Sequence, residues 1–318
     1  MQHIQGLNDI SRPFERAVVT IGNFDGVHIG HQALFYEVIE RAHAINGTSI
    51  AITFEPHPLR VLNRNASLPL ITIFEQKMEL IERSGMDALI SIPFTTDFAA
   101  ISAQRFVEDL LVRKIGMKII VVGEDYAFGK GREGNIELLN ALAPQLGFEV
   151  VVTGMIRTVN GALGRISSTA IRELVQAGEM QQAGRMLGRH FQIRGTVVTG
   201  RDRGGKLLGF PTANLNRDDE LCPKTGIYAV TVEIQGRLLH GVANIGYSPT
   251  FDDMQFTVEV YILDFNQTIY GERIRINFIK RIRDEKKFAS LSALKAQIAA
   301  DVEATRRLFA ENGTTRRD

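Results

Sequence analysis

The segment from Val19 to Gln32 constrains the fold of this 318-residue chain more than any other. It reads VTIGNFDGVHIGHQ: an apolar run ends at Gly22, a tight turn follows, and a helix-like pattern begins at a His-x-Gly-His box. A strand, a glycine turn and a helix start in this order favour an α/β fold whose backbone N–H groups face a phosphate. Two histidines there, His28 and His31, can stabilise charge on a leaving pyrophosphate, which indicates nucleotidyl transfer.

The first half of the chain alternates between strand-like and helix-like segments. This alternation predicts an α/β fold with a doubly wound parallel sheet, whose ligands bind beyond the carboxyl ends of the strands. The boxes that follow Gly22, Phe54 and Gly123 all lie at such ends. The predicted strands are Ala17–Gly22, Ser49–Phe54, Ala88–Pro93, Lys118–Gly123 and Phe148–Thr153, and the predicted helices are Gly30–Asn46, Phe74–Ser84, Ser102–Lys114 and Asn135–Gln145.

The pattern changes after about Met186, where short β-branched runs alternate with turn signals. Such runs are typical of an antiparallel barrel or sandwich, and a helical period over Ala289–Phe309 predicts a helix packed outside it. The length of 318 residues also favours two domains. We therefore predict one domain over residues 1–186 and a second, an antiparallel β-barrel with a C-terminal helix, over residues 187–318. The predicted barrel strands are Phe191–Thr199, Tyr228–Gln235, Leu238–Ala243, Thr257–Leu263 and Arg273–Phe278.

Charge and cysteine content argue against several classes of partner. The chain has 37 Lys and Arg against 36 Asp and Glu, so no strong overall field attracts nucleic acid or a membrane surface. No apolar run is long enough to span a bilayer. The single cysteine, Cys222, cannot form an internal disulfide, which favours a reducing cytoplasm. We expect a cytoplasmic protein with small-molecule partners, no nucleic acid and no membrane; whether it forms a homo-oligomer stays open.

A second box, ISSTAIR, covers Ile166–Arg172. Consecutive hydroxyls at a helix start are good N-caps, which is the simpler interpretation of the box taken alone. Combined with the histidine box, the hydroxyls of Ser168 and Thr169 are candidates to hold phosphate oxygens, and Arg172 would add a fixed positive charge. Gly30, between the two histidines, leaves room for a phosphate to approach the backbone.

Another candidate site lies near residue 210, where a glycine-rich loop precedes Pro211-Thr212-Ala213-Asn214. The loop is not a Walker P-loop, and a plain hairpin explains it nearly as well. In an extended segment, Thr212 and Asn214 share one face and can both reach a Mg²⁺ ion or a phosphate; the alternative is a turn. Glu259 lies inside an apolar run, where alternation favours an outward-facing carboxylate over a base.

Four motifs follow one another in the first half: GNFDGVHIGHQ, FEPHP, VVGEDYAFGKGREGN and ISSTAIR. Together they resemble the adenylyltransferase module of bacterial bifunctional riboflavin kinase/FAD synthetases. The resemblance implies ATP over the first motif, FMN near the second and third, and catalytic roles for His28, His31 and Arg172. The implied ATP and phosphate contacts are Gly22, Phe24, Asp25, Gly30, Ser168 and Thr169, and the implied flavin contacts are Phe54, Pro56, Asp125, Tyr126 and Phe128.

The second half contains GGKLLGFPTAN, NIGYSPTF, VEVYILDF, YGERIRINF and RIRDEKKF, in this order. This set resembles the riboflavin kinase domain of the same family. The resemblance implies that Glu259 is the base for the ribityl 5′-hydroxyl, and that Thr212 and Asn214 contact Mg²⁺ and ATP. It also implies that Arg283 lies on the loop over the flavin. The implied ATP contacts of this domain are Gly200, Arg203, Gly204, Lys206 and Pro211.

The two resemblances imply that riboflavin is phosphorylated to FMN, which is then adenylylated to FAD and pyrophosphate. ATP would be the co-substrate of both steps and Mg²⁺ the metal cofactor. One rival is an enzyme that transfers a nucleotide to another phosphorylated molecule, since such boxes occur widely; the PTAN box and Glu259 argue against it. A second rival is a binding protein that has lost catalysis, and the intact charged residues of both sites argue against that.

Overall fold

The computed structural model describes residues 1–63, 68–154, 164–199, 210–217, 221–249 and 254–314. The chain divides into two compact units, Met1–Ser168 and Thr169–Asp318. This division falls earlier than the predicted domain boundary between residues 186 and 187, which stays a prediction. The helix at Met180–Leu187 belongs to the second unit because it packs against the first and last strands of that unit.

Six parallel strands form the sheet of the first unit, in the order β1-β4-β3-β2-β5-β6. The predicted parallel sheet is therefore confirmed, and the structure adds one short edge strand, β1, that the sequence patterns did not reveal. The strands are β1 Gln2–Gln5, β2 Ala17–Ile21, β3 Thr48–Glu55, β4 Ala88–Pro93, β5 Met117–Gly123 and β6 Glu149–Thr153.

Helices cover the sheet and meet two apolar clusters, one on each of its faces. All five residues of β2 are buried; Val19 belongs to one cluster and Val18 to the other, as strand alternation requires. The segment predicted as a helix over Ser102–Lys114 begins as a short α-helix and continues as a π-helix. The helices are α1 Ile29–Ala44, α2 Pro58–Leu62, α3 Phe74–Arg83, α4 Thr96–Ala99, α5 Ala103–Arg105, the π-helix Phe106–Ile115 and α6 Ile136–Leu146.

The strand order places a topological switch point at β2. After β2 the chain builds β3 and β4 on one side, and later returns to add β5 on the other side. Ligands of open α/β sheets bind in the crevice outside the carboxyl ends of the strands at such a point. The histidine box follows β2, and the GEDYAFG loop follows β5, so both border this crevice.

The second unit is built on a closed barrel in the order β10-β11-β8-β7-β12-β9, and every paired neighbour in it is antiparallel. This confirms the predicted barrel. Its interior is filled by fully buried side chains such as Tyr228, Val260 and Phe278. The strands are β7 Phe191–Val198, β8 Ala213–Arg217, β9 Gly226–Ile234, β10 Arg237–Pro249, β11 Met254–Ile262 and β12 Arg273–Arg283.

Three helices accompany the barrel: α7 Ser168–Ala177, α8 Met180–Leu187 and α9 Leu291–Thr314. Val302 of α9 packs against an apolar cluster on the outer face of the barrel that includes Ile227, Val242 and Leu263. This confirms the predicted helix outside the barrel. In the described part of the chain, no helix has the length and apolar character that crossing a membrane requires.

Two candidate active sites

The histidine box lies at the start of α1, and the structure brings its two histidines together. His28 is the N-cap residue, and its Nδ1 accepts a hydrogen bond of 3.3 Å from the backbone N–H of His31. The two imidazole rings stack with centroids 3.6 Å apart and planes 15° apart. A Cβ at Gly30 would lie 3.1 Å from the His28 ring, so the residue between the histidines must be small. Both rings therefore face the same side of the helix start.

The turn that precedes the box is strained and held from inside. Phe24 and Val27 have positive φ angles, 47° and 38°, which non-glycine residues rarely adopt. The buried Asp25 carboxylate accepts hydrogen bonds from the backbone N–H groups of Ile71 at 3.0 Å and Thr72 at 3.1 Å. The side chains of Phe24 and Asp25 thus fix the turn. The predicted ATP contacts there stay predictions, and in this geometry backbone atoms would make them.

Two further residues predicted to contact ATP shape the same turn. A Cβ at Gly22 would lie 2.8 Å from the Phe24 ring, so this glycine lets the ring fold back over the end of β2. The hydroxyl of Ser168 donates a hydrogen bond of 2.9 Å to the carbonyl oxygen of Asp25, which ties the ISSTAIR box to the turn. Thr169 and Arg172 belong to the second compact unit, and their predicted phosphate contacts stay predictions.

Aromatic rings connect the two loops predicted to contact a flavin. Phe54, at the end of β3, contacts two rings that follow β4, and the contacts continue to the GEDYAFG loop. Neighbouring ring centroids along this series are 5.2 to 6.1 Å apart. The members of this aromatic series are Phe54, Phe94, Phe98, Phe106, Phe128 and Tyr126. The sequence analysis missed Phe94, Phe98 and Phe106, although the first two stand just past the carboxyl end of β4, where the same rule would have found them.

The other residues predicted to contact the flavin differ in their solvent exposure and in their partners. Pro56 is exposed, and the exposed Asp125 carboxylate forms an ion pair with Arg165. Within the described part of the chain, the hydroxyl of Tyr126 is enclosed and has no hydrogen-bond partner, and burial raises its pKa. Their roles toward a flavin stay predictions.

Strand pairing assembles the second candidate site on the outer face of the barrel. Asn214 of β8 lies opposite Glu259 of β11, and Glu259 lies opposite Asn244 of β10. Because directly opposed residues project from the same face, these three form one polar row across three strands. The neighbours Val258 and Val260 are buried inside the barrel, so Glu259 faces outward, as alternation indicated.

A cavity of about 390 Å³ lies between this face of the barrel and α9. Glu259, Asn244 and Thr212 line it together with Tyr261 and other side chains of the barrel and α9. Burial raises the pKa of Glu259 above its ordinary value. The outward position of Glu259 is therefore compatible with a role as a base, because the cavity walls enclose the carboxylate. Asn244 was missed by the sequence analysis, since only the register of β10 against β11 places it beside Glu259.

Arg283, predicted to lie over the flavin, forms one wall of the cavity. Its Nε and Nη2 donate to the buried carboxylate of Asp301 on α9, at 2.9 and 2.7 Å. This ion pair fixes the guanidinium, and the flavin contact stays a prediction. Pro211 is exposed at the start of β8. The predicted ATP contacts Gly200, Arg203, Gly204 and Lys206 lie outside the described residues.

Comparison with known proteins connects these sites to an activity. A family described as FAD synthetase matches residues 11–170, and a family described as riboflavin kinase matches residues 187–309. Curated proteins named bifunctional riboflavin kinase/FMN adenylyltransferase share this arrangement. The Escherichia coli K12 protein is 39% identical over 311 residues, which cover 97% of this chain and 98% of that protein. The Listeria monocytogenes protein is 39% identical over 297 residues, 92% of this chain and 93% of that protein.

A solved structure from Streptococcus pneumoniae, whose title calls it a macrolide-efflux protein, superimposes with a TM-score of 0.87. It is 34% identical and covers 96% of this chain and 99% of that chain. The matches place the chain among enzymes that transfer phosphoryl and nucleotidyl groups to flavins. More narrowly, it belongs to the bifunctional riboflavin kinase/FMN adenylyltransferase family. ATP is accordingly its co-substrate, and FMN and FAD are its products.

Proposed function

We propose that the barrel phosphorylates riboflavin with Glu259 as the base, and that the parallel-sheet domain adenylylates the resulting FMN. The observation that carries this assignment is the polar row of Asn214, Glu259 and Asn244 beside the cavity. Glu259 forms no ion pair with a described residue, and a carboxylate of this kind at a cavity wall is well placed to accept a proton from a bound alcohol. At the histidine box, by contrast, the carboxylate of Asp25 is engaged with backbone N–H groups.

The kinase step requires a base because an alcohol is a poor nucleophile until its proton moves. Glu259 takes the proton from the ribityl 5′-hydroxyl while that oxygen bonds to the γ-phosphorus of ATP. The bond from the γ-phosphorus to the bridging oxygen breaks, and ADP leaves with the bond electrons. Burial raises the pKa of Glu259, which makes its carboxylate a stronger base than that of an exposed glutamate.

The side-chain oxygens of Thr212 and Asn214 suit a Mg²⁺ ion bound together with ATP. Mg²⁺ prefers oxygen ligands and usually keeps several waters and substrate phosphates in its shell, so few protein ligands are needed. Thr212 precedes β8 and lines the cavity, and Asn214 lies opposite Glu259. When bound, Mg²⁺ would neutralise charge on the phosphate groups.

The adenylyl transfer needs no base, because the phosphate of FMN is already ionised at neutral pH. A phosphate oxygen of FMN bonds to the α-phosphorus of ATP, and the bond to the bridging β-phosphate oxygen breaks to release pyrophosphate. Because Nδ1 of His28 accepts the N–H of His31, a neutral His28 carries its proton on Nε2 and donates there. That donor and His31 would stabilise charge on the leaving pyrophosphate.

The setting of the enzyme follows from its substrates. Riboflavin, FMN and ATP are small molecules that the cytoplasm supplies together, and we place the enzyme there. The expectations that neither nucleic acid nor a membrane is a partner stay predictions.

The variant Glu259→Gln tests the division of labour, since it keeps the shape of the side chain and removes the base. We expect formation of FMN from riboflavin to fall by about 10²- to 10⁴-fold, while formation of FAD from supplied FMN persists. Product chromatography measures both rates, and Glu303→Gln, an exposed carboxylate on α9, is the matched control. Equal loss of both activities in Glu259→Gln would contradict the assignment.

A further inference from the structure

A buried lysine, Lys77, lies in the first unit outside the residues already assigned. It occupies the first half of α3, a helix that has its charged residues mainly on the solvent side, yet only 3% of Lys77 is exposed. Lysine is almost never buried to this degree unless it is paired. Packing of α3 alone therefore does not explain why the charged side chain of Lys77 is buried.

Lys77 has no anionic partner in the part of the chain that the structure describes. Its side-chain ammonium makes neither a hydrogen bond nor an ion pair with a described residue, and lies 5.9 Å from the ring centroid of Phe74. Burial lowers the pKa of Lys77, and the carboxylates of Asp25 and Glu55, acting across a distance, offset part of that effect.

Hydrogen bonds place the start of α3 beside the turn after β2, because the backbone N–H groups of Ile71 and Thr72, just before the helix, donate to the carboxylate of Asp25. Asp25 lies in the turn after β2, and Glu55 is the last residue of β3, next to Phe54. These strands are neighbours in the parallel sheet, so both carboxylates stand at its carboxyl edge. Lys77, in the first half of α3, therefore lies near this edge of the sheet, where the histidine box and the FEPHP loop, the implied sites of ATP and FMN, follow their strands.

We propose that Lys77 is a phosphate-binding residue of the adenylyltransferase site and that a substrate phosphate is its missing anionic partner. A lysine ammonium is a compact point charge that binds phosphate oxygens without the fork geometry of arginine. The position near the sheet edge that carries both implied substrate sites suits the phosphate of FMN or the triphosphate of ATP. The inference rests on the proposed placement of adenylyl transfer at this edge.

The alternative role is structural, in which the ammonium offsets the charges of Asp25 and Glu55 to stabilise the fold. The two roles predict opposite effects of a neutral side chain of similar shape. If Lys77 binds a substrate phosphate, its buried charge is unpaired in the substrate-free protein and destabilises it. Its replacement then leaves the free energy of unfolding unchanged or raises it. A structural lysine stabilises the free protein, so its replacement lowers stability while the substrate affinities of the folded enzyme stay the same.

The test compares the Lys77→Met variant with the unsubstituted enzyme, both as full-length proteins, in steady-state formation of FAD from FMN and ATP. We expect kcat/KM to fall by about ten- to a hundredfold for the substrate whose phosphate Lys77 contacts, as for the loss of a charge-assisted hydrogen bond. A rise in KM for FMN alone identifies the FMN phosphate, and a rise for ATP alone identifies the triphosphate. The thermal midpoint should not fall, and riboflavin phosphorylation should be unchanged.

The matched control is Lys118→Met, an exposed lysine near the amino-terminal end of β5, which should leave all these values unchanged. Unchanged FAD kinetics in Lys77→Met would overturn the proposal. Failure of both Lys77→Met and Lys77→Gln to fold without substrate would also overturn it, because it would assign Lys77 a structural role. If His31→Ala abolishes FAD formation and Lys77→Met does not, the proposed site stands and the role of Lys77 falls.

Discussion

The two candidate sites are built in different ways. At the histidine box, residues within a single turn of the chain meet: His28 caps the helix that contains His31, and the strained turn before them is pinned by Asp25. In the barrel, Asn214, Asn244 and Glu259 are distant in sequence and meet only because of strand register. A site of the first kind depends on neighbouring residues and on a few hydrogen bonds that hold one turn, whereas a site of the second kind depends on the whole barrel.

This difference predicts that a local substitution at the histidine box removes one activity and leaves the protein stable. His31→Ala should reduce FAD formation by about 10²- to 10³-fold, as for the loss of one preorganised group that stabilises transition-state charge. Riboflavin phosphorylation should persist, because His31 lies in the first unit and the barrel belongs to the second. Rates of both reactions in the purified variant give the answer, with His43→Ala, an exposed histidine near the end of α1, as the control. Unchanged FAD synthesis would remove His31 from the site.

The barrel site should instead be sensitive to substitutions that break contacts between the residues lining its cavity. Asp301→Asn removes the carboxylate that accepts from both Nε and Nη2 of Arg283 and leaves that half-buried guanidinium poorly compensated. We expect the free energy of unfolding of the second unit to fall by about 3 kcal/mol. Denaturant unfolding measures it, and the adjacent pair, whose carboxylate is exposed, gives a control: Asp284→Asn breaks a contact with Arg281 and should have a much smaller effect. Equal effects of the two variants would mean that the buried pair does not brace the cavity.

The two activities should also differ in their pH dependence, an effect smaller than those of the substitutions above. As the proposed base, Glu259 would act in its carboxylate form, and burial raises its pKa from the ordinary value of 4.5. As pH falls, the group therefore becomes protonated earlier than an ordinary glutamate, and riboflavin phosphorylation should decline at a correspondingly higher pH. Profiles of kcat/KM for the two reactions, recorded on the same enzyme, test this. An acid limb at or below 4.5 for the kinase reaction would count against a buried carboxylate base.

Local patterns in the sequence predicted most of the fold. The strand Ala88–Pro93 was predicted with the observed ends, and α1 differs from its prediction by only a few residues. The strand predicted over Leu238–Ala243 extends to Pro249, because pairing with β11 keeps the backbone extended through Gly246 and Pro249, residues that locally signal a turn. The short strand β1 was missed because it is polar and owes its conformation to pairing with β4.

Sequence patterns predicted the site residues that are close together in the chain better than those that are distant in sequence. His28, Gly30 and His31 form a contiguous pattern with a physical meaning of its own, whereas Glu259 gained its implied role from a family resemblance. Asn244 became visible only through register. Lys77 could not be found at all from the sequence, since a lysine in a helical pattern is ordinarily a solvent-exposed residue.

Two separate sites, one in each domain, are proposed to carry out the two reactions in succession. The most direct measurement is a mixture of the variants Glu259→Gln and His31→Ala, supplied with riboflavin, ATP and Mg²⁺ and followed by product chromatography. Each variant alone should yield almost no FAD, whereas the mixture should yield it, because one enzyme releases FMN that the other adenylylates. A mixture that makes no FAD, although each variant retains its other activity, would contradict the account.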